Sequence, residues 1–333
     1  MSSGTSGPHA ERAPDAAPPD LLDELRRALA GRFDVERLLG AGGMGSVYVG
    51  RDVTLDRPVA IKVVNPDVAL APTVRQRFLA EARTVARLRH PHVVAVHAAG
   101  EAGGLLYFVM EYVPGESLRD RLARDGRFDD AEALVVLRDL ARALGYAHAQ
   151  GVVHRDVKPE NVLLDAESGR AMLTDFGVAQ ALAAQDEGDG RLTGMGIVLG
   201  SPRYMSPEQA AGERQLDGRS DVYALGLVAY EMFAGEPAVT ATSAPTILMK
   251  HLTEKPTPIA TRNERVTPGL AAVIERALEK DPAQRWDSAD AMADAVDDLL
   301  AAGEGATGPS RARPEGRRLA SRASAAAPAA APT

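Results

Sequence analysis

The sequence predicts an α+β chain in which strands come first and helices follow. Residues 33–64 alternate between apolar and polar positions and are rich in β-formers. A second apolar run, residues 105–113, ends at Pro114-Gly115. From residue 118 onward, apolar residues recur at helical spacing, as in Leu134, Leu137, Leu140, Ala141 and Leu144. With 333 residues the chain is long enough for one large domain or two modest ones with a buried core. An apolar share of 45% and a charged share of 25% are those of an ordinary globular protein.

Composition also excludes several functions. A net charge of −8 argues against nucleic acid as a partner, since phosphate backbones attract basic surfaces. The absence of cysteine removes disulfides, thiol catalysis and thiolate metal sites, and suits the cytoplasm, where the chain is expected to reside. No run approaches the ~18 apolar residues of a membrane span, and the first twenty residues lack the apolar centre of a secretory signal.

Residues 1–19 are poor in large apolar groups and are expected to be disordered. Leu21, Leu22, Leu25 and Leu29 then fall at helical spacing, with Asp20 as a cap and Gly31 as a stop, predicting a short helix against the following domain. Gly40, Gly42, Gly43 and Gly45 lie within the β-rich stretch and let backbone amides approach an anion. A dinucleotide site needs a helix after the last glycine, whereas Ser46-Val47-Tyr48-Val49 reads as a strand. The glycines are therefore the tip of a hairpin.

In Val59-Ala60-Ile61-Lys62-Val63-Val64 a single lysine interrupts an apolar strand. A buried ammonium needs a partner, and Glu81 lies on the apolar face that Phe78, Val85 and Leu88 mark on the helix predicted over 73–89. Only five of the 38 basic residues are lysine, so lysine at 62 and 158 looks selected over arginine. His90-Pro91-His92 lacks a nearby carboxylate or thiolate and reads as a loop ending that helix rather than a metal site. Residues 220–233 are apolar nearly all round, predicting a buried helix, and residues 287–300 make a final one. Past Gly303 the chain is low-complexity Ala, Pro, Ser and Arg.

The densest chemistry is His154-Arg155-Asp156-Val157-Lys158-Pro159-Glu160-Asn161, followed by Asp175-Phe176-Gly177. Asp156 can accept a proton, Lys158 can neutralise an anion, and Asn161 and Asp175 offer oxygens to a hard divalent ion. Glu160 can attract a basic substrate residue or serve as a capping or solvated carboxylate, and the residues leave both readings open.

This run, its interval to Asp175 and the preceding glycine hairpin resemble the motifs of protein kinases, and the Gly-Gly-Met-Gly form resembles bacterial eukaryotic-like serine/threonine kinases. Residues 200–208 resemble the docking loop and Ala-Pro-Glu triplet, departing at Ser201, where Thr is usual, and at Ser206, where Ala is usual. The resemblance covers roughly residues 33–300. It implies a two-lobed protein kinase fold, with a small antiparallel-sheet N-lobe (33–113) carrying one key helix and a larger, mainly helical C-lobe (114–300). Residues 1–32, with their short helix, and 301–333 are expected to be flanking disordered tails.

The resemblance further implies ATP with Mg2+, or alternatively Mn2+, and protein substrates. ATP would be held by Leu39, Gly40, Ala41, Gly42, Gly43, Met44, Gly45, Ser46, Val47 and Lys62, with the backbone of Glu111 and Val113 facing adenine and Met110 behind. Lys62 would pair with Glu81, Asp156 would act as base beside Lys158, and Asn161 and Asp175 would hold metal. Asp221 would anchor the catalytic loop and Arg285 would pair with Glu208. Thr193, with Ser201 as the second choice, would be phosphorylated in trans within a homodimer, Arg155 pairing with the phosphate. A pseudokinase or ATP-responsive scaffold is the alternative; such proteins usually lack one of Lys62, Asp156 and Asp175.

Overall fold

The computed structural model describes residues 19–43, 45–66, 72–176 and 202–303. Met44 of the glycine loop and the expected modification sites Thr193 and Ser201 lie outside the described residues.

Five antiparallel strands form the first layer: β1 (Phe33–Gly42), β2 (Gly45–Asp52), β3 (Arg57–Val64), β4 (Val96–Ala102) and β5 (Leu105–Glu111), in the order β1-β2-β3-β5-β4. Successive side chains in a strand point to opposite faces, and here a helix covers each face. Ala60 and Val64 of β3 with Leu106, Phe108 and Met110 of β5 pack with Phe78 and Ala82 of α2 (Pro72–Val85). Val59, Ile61 and Val63 with Leu105, Tyr107 and Val109 pack with Leu21, Leu25 and Leu29 of α1 (Pro19–Leu29). Burial on both sides explains why these two strands read as continuous apolar runs. Helix α1 starts at Pro19, one residue before the expected Asp20 cap, since the fixed φ of proline suits a first helical turn.

A small sheet of β6 (Gly115–Ser117), β7 (Val162–Asp165) and β8 (Ala171–Leu173) opens the second layer. Val94 N–H donates to Leu173 O and Leu173 N–H donates to His92 O, both at 2.9 Å, tying the two layers together. The helical pattern over 118–150 is broken into α3 (Leu118–Asp125) and α4 (Asp130–Ala149). Gly126 at φ +79° ends the first helix and Asp129 caps the second, signals present in the sequence. Among the described residues the remaining α-helices are α5 (Pro207–Ala210), α6 (Gly218–Ala234), α7 (Ala244–Thr253), α8 (Pro268–Ala277) and α9 (Ala289–Ala301). Helix α6 is buried from Ser220 through Phe233 and is the centre around which α4, α8 and α9 pack.

Candidate active site

The glycine hairpin is closed by pairing of Gly42 with Gly45. Gly45 has φ +143°, and a Cβ there would lie 2.0 Å from Val63 O, so only glycine lets β2 approach β3 so closely. Lys62 sits on β3 between Val47 of β2 and Phe108 of β5. Its side chain is 7% exposed, and its ammonium donates to Asp175 Oδ2 at 2.5 Å. This corrects the expected partner: among the described residues the ion pair of Lys62 is with Asp175, not Glu81. Helix α2 packs through Phe78, Ala82 and Val85, which leaves Glu81 half-buried at the rim of that stripe. Asp175, at φ +67°, turns its carboxylate to the lysine.

Asp156, Lys158 and Asn161 share one knot of hydrogen bonds. Lys158 Nζ donates to Asp156 Oδ2 at 2.7 Å. Asn161 Nδ2 donates to Asp156 O at 2.8 Å and to Oδ2 at 3.1 Å, which fixes the orientation of its amide. Thr174 N–H donates to Asn161 O at 3.0 Å, placing Asp175 beside the same loop. His154 is fully buried, bonds Thr174 O through Nε2 at 2.9 Å and tilts against the Phe176 ring at 4.4 Å between centroids. Two non-glycine residues here, Arg155 (φ +68°) and Asp175, adopt left-handed backbone, strain that persists only where surroundings over-determine it.

Those surroundings come from the second layer. Asp221 of α6 accepts the backbone N–H of His154 and of Arg155, each at 2.7 Å, and bonds His148 Nε2 at 2.8 Å. Asp221 thus holds the backbone of the catalytic loop, as the resemblance implies, while Asp217 caps this helix. Gln209 Nε2 donates to Arg155 O at 2.7 Å, and Ser206 forms a capping box with Gln209, so the Ser at this departure from the family pattern acts as a helix cap. The Ser-x-x-Gln spacing carried that signal in the sequence. Arg285 donates twice to Glu208, both at 2.8 Å, and also to the carbonyls of Arg219, Glu279 and Lys280. Burial alone would raise Glu208, but the hydrogen bonds from Arg285 and Ser220 prevail and hold its carboxyl below the ordinary value.

The His-Pro-His run is structural: His90 stacks on Tyr146 and His92 Nδ1 bonds Ala171 O at 2.9 Å. Glu111 closes β5 and Val113 follows it into the junction between the layers, both half-buried, while Met110 lines the rear with Val94, Val96, Phe108 and Thr174.

The residues fit a nucleotide with a hard divalent ion. Asn161 Nδ2 is spent on Asp156, so the amide oxygen remains as an acceptor, and Asp175 Oδ1 is not used by Lys62. Two protein oxygens suit an ion whose other ligands are phosphate and water. A Cβ added at Gly40, Gly42 or Gly43 would meet nothing within 4 Å, so the space beside these glycines is open.

Residues 33–296 match the protein kinase domain family model. Serine/threonine-protein kinase PknB of Mycolicibacterium smegmatis is 42% identical over 268 residues, covering 79% of this chain and 42% of that protein. PknA of Mycobacterium tuberculosis is 41% identical over 294 residues, covering 87% of this chain and 66% of that one. The chain thus spans about two-fifths of the length of the PknB relatives it matches. The crystal structure of the Mycobacterium tuberculosis PknI kinase domain superposes with a TM-score of 0.63 at 33% identity, covering 80% of this chain and 96% of that one. With the matched domain, these relatives and the two-layered architecture in agreement, the chain belongs to the protein kinase family.

Proposed function

We propose that this domain transfers the γ-phosphoryl group of Mg-ATP to serine and threonine hydroxyls of protein substrates, including its own residue Thr193. When bound, ATP supplies the phosphoryl group and the divalent ion neutralises its charge. Asp156 orients the acceptor hydroxyl and takes its proton, and Lys158, 2.7 Å from that carboxylate, steadies the negative charge that develops beside it. Lys62 and the backbone amides of residues 39–47 hold the phosphates, while Asn161 and Asp175 hold the metal. The backbone of Glu111 and Val113 would hold the adenine.

The observation that carries this reading is the hydrogen-bonded set Asp156, Lys158 and Asn161, brought next to the Lys62–Asp175 pair by the Thr174 link. Asp156→Asn keeps the shape of the loop and removes the base. Phosphorylation of a generic basic protein should then vanish while Mg-dependent ATP binding survives, and undiminished turnover would overturn the assignment.

Arg155 Nε is buried and has no partner among the described residues, which supports a phosphate on Thr193 as its counter-charge. Ser201 is the second choice for that phosphate. Autophosphorylation in trans within a homodimer and residence in the cytoplasm complete the proposal. Among the described residues no helix is long and apolar enough to cross a membrane.

A further inference from the structure

Helices α4 and α9 run antiparallel, and their charged residues fix the register. Asp290 sits over Gly145, where an added Cβ would come within 2.4 Å of its carboxyl carbon. Arg142 donates to Asp294 and Asp297, each at 2.7 Å, and Arg138 lies 3.9 Å from Asp297. Going forward along α9 from Asp290 to Asp297 thus matches going back along α4 from Gly145 to Arg138. On that register Ala301, the last residue of α9, falls beside Leu134, and Leu299 and Leu300 pack against the core that holds Leu134. The chain beyond Gly303 therefore leaves the domain near the start of α4.

Two residues to either side of Leu134, and so on the other face of α4, Glu132 and Val136 line a cleft of about 620 Å³, part of it open to solvent. Val136, Leu164 of β7 and Ala166 of the turn after β7 give it an apolar floor. Three carboxylates, Glu116, Glu132 and Asp165, line it against one guanidinium, that of Arg121. Glu132 accepts from Arg121 at 3.1 Å, Glu116 from Arg124 at 2.9 Å, and Asp165 from the N–H of Glu167 at 3.0 Å. A carboxylate offers about four acceptor positions, so each can take a further donor.

The sequence that leaves the domain beside this cleft has the complementary chemistry. Residues 304–333 hold five arginines against two glutamates, so the excess of negative charge in the chain lies wholly in residues 1–303. Leu319 is the one large apolar side chain past Gly303, and it follows Arg317-Arg318 directly. Two cations and a leucine suit an acidic rim around an apolar floor. Leu319 lies sixteen residues past Gly303. A flexible chain of that length spans roughly 20–24 Å, and the cleft is about one helix diameter, ~10–12 Å, from the exit point. Such a tether holds its end at an effective concentration of the order of millimolar, so a weak contact suffices.

We propose that Arg317-Arg318-Leu319 docks in this cleft of its own domain, the arginines on Glu116, Glu132 and Asp165 and the leucine on Val136 and Leu164. The docked segment braces β6, which follows the junction between the layers, against β7, which continues from the catalytic turn ending at Asn161. A solvent-filled crease between α3, α4 and the small sheet would have the same lining, and only the position of the tail separates the two.

Because the chain lacks cysteine, Ala123→Cys, exposed on α3, and Ala320→Cys can carry a pair of nitroxide labels in the 333-residue protein. Pulsed dipolar spectroscopy at low salt should give a narrow distance component about 5 Å wide, where an undocked coil spreads over tens of Å. Arg317→Glu combined with Arg318→Glu, and separately Ala166→Arg on the exposed turn of the cleft, should each reduce that component about fivefold or more. Neither change touches the core or the catalytic set, so folding is not at stake. A broad distribution in the parent, which would leave the cleft to a basic segment of another protein, overturns the proposal. So does a narrow component that both variants leave intact. A narrow component that vanishes on dilution with excess unlabelled chain also overturns it, by assigning the cleft to the tail of a second copy. The labels report without turnover, so a chain that phosphorylates nothing would strike the kinase reading and leave this one standing.

Discussion

Asp221→Asn isolates the tertiary contact that holds the catalytic loop. Asp221 is 1% exposed, and its two oxygens accept the N–H groups of His154 and Arg155 at 2.7 Å each. Asparagine has the same shape but a single acceptor oxygen, so one loop N–H would face an NH2 group instead. The loss of one charge-assisted hydrogen bond costs about 1.5–3 kcal/mol. It falls on Arg155, whose left-handed backbone at φ +68° would then be held by the Gln209 bond to its carbonyl without the Asp221 restraint on its N–H. If the loss appears in the transition state, kcat falls roughly 10- to 150-fold. The KM for ATP should stay near the wild-type value, because Lys62 and the glycine hairpin lie on the other layer. The assay is steady-state phosphorylation of a protein substrate at saturating ATP, with melting temperature as the control for global unfolding. A kcat within about twofold of wild type, equivalent to less than ~0.5 kcal/mol, would refute the reasoning.

Two further perturbations follow from the geometry. His251 is fully buried beneath the docking turn, and burial, reinforced by the charge of Lys280, lowers its pKa to about 4. The unfolded chain binds a proton here near pH 6.5 and the fold does not, so the stability associated with His251 is complete above about 6.5 and declines as pH falls toward 4, by up to roughly 3 kcal/mol. Urea titrations between these limits should show the decline in wild type and a flatter profile in His251→Gln; parallel profiles would discard the assignment. Gly45→Ala forces a side chain into φ +143° and against Val63 O, so the hairpin must splay. An increase of about tenfold or more in the KM for ATP, worth ~1.4 kcal/mol, is expected, and unaltered ATP binding by calorimetry would contradict it.

The sequence alone determined the local devices. The glycine hairpin, the apolar run of β3, the buried character of α6 and the eight-residue loop ending at Asn161 each follow from spacing along the chain, where neighbours in sequence are neighbours in space. Only the fold decided which distant partner each buried charge meets. Lys62 bonds Asp175, 113 residues away, rather than the half-buried Glu81, because α2 presents Phe78 and Ala82 to the sheet. Glu160, still 45% exposed, meets Arg119 from the start of α3, and the two loop N–H groups that Asp221 accepts were implied only by the family resemblance. A charge removed from water takes whichever counter-charge the packing brings within reach, and packing is a property of all the elements together rather than of any one stretch.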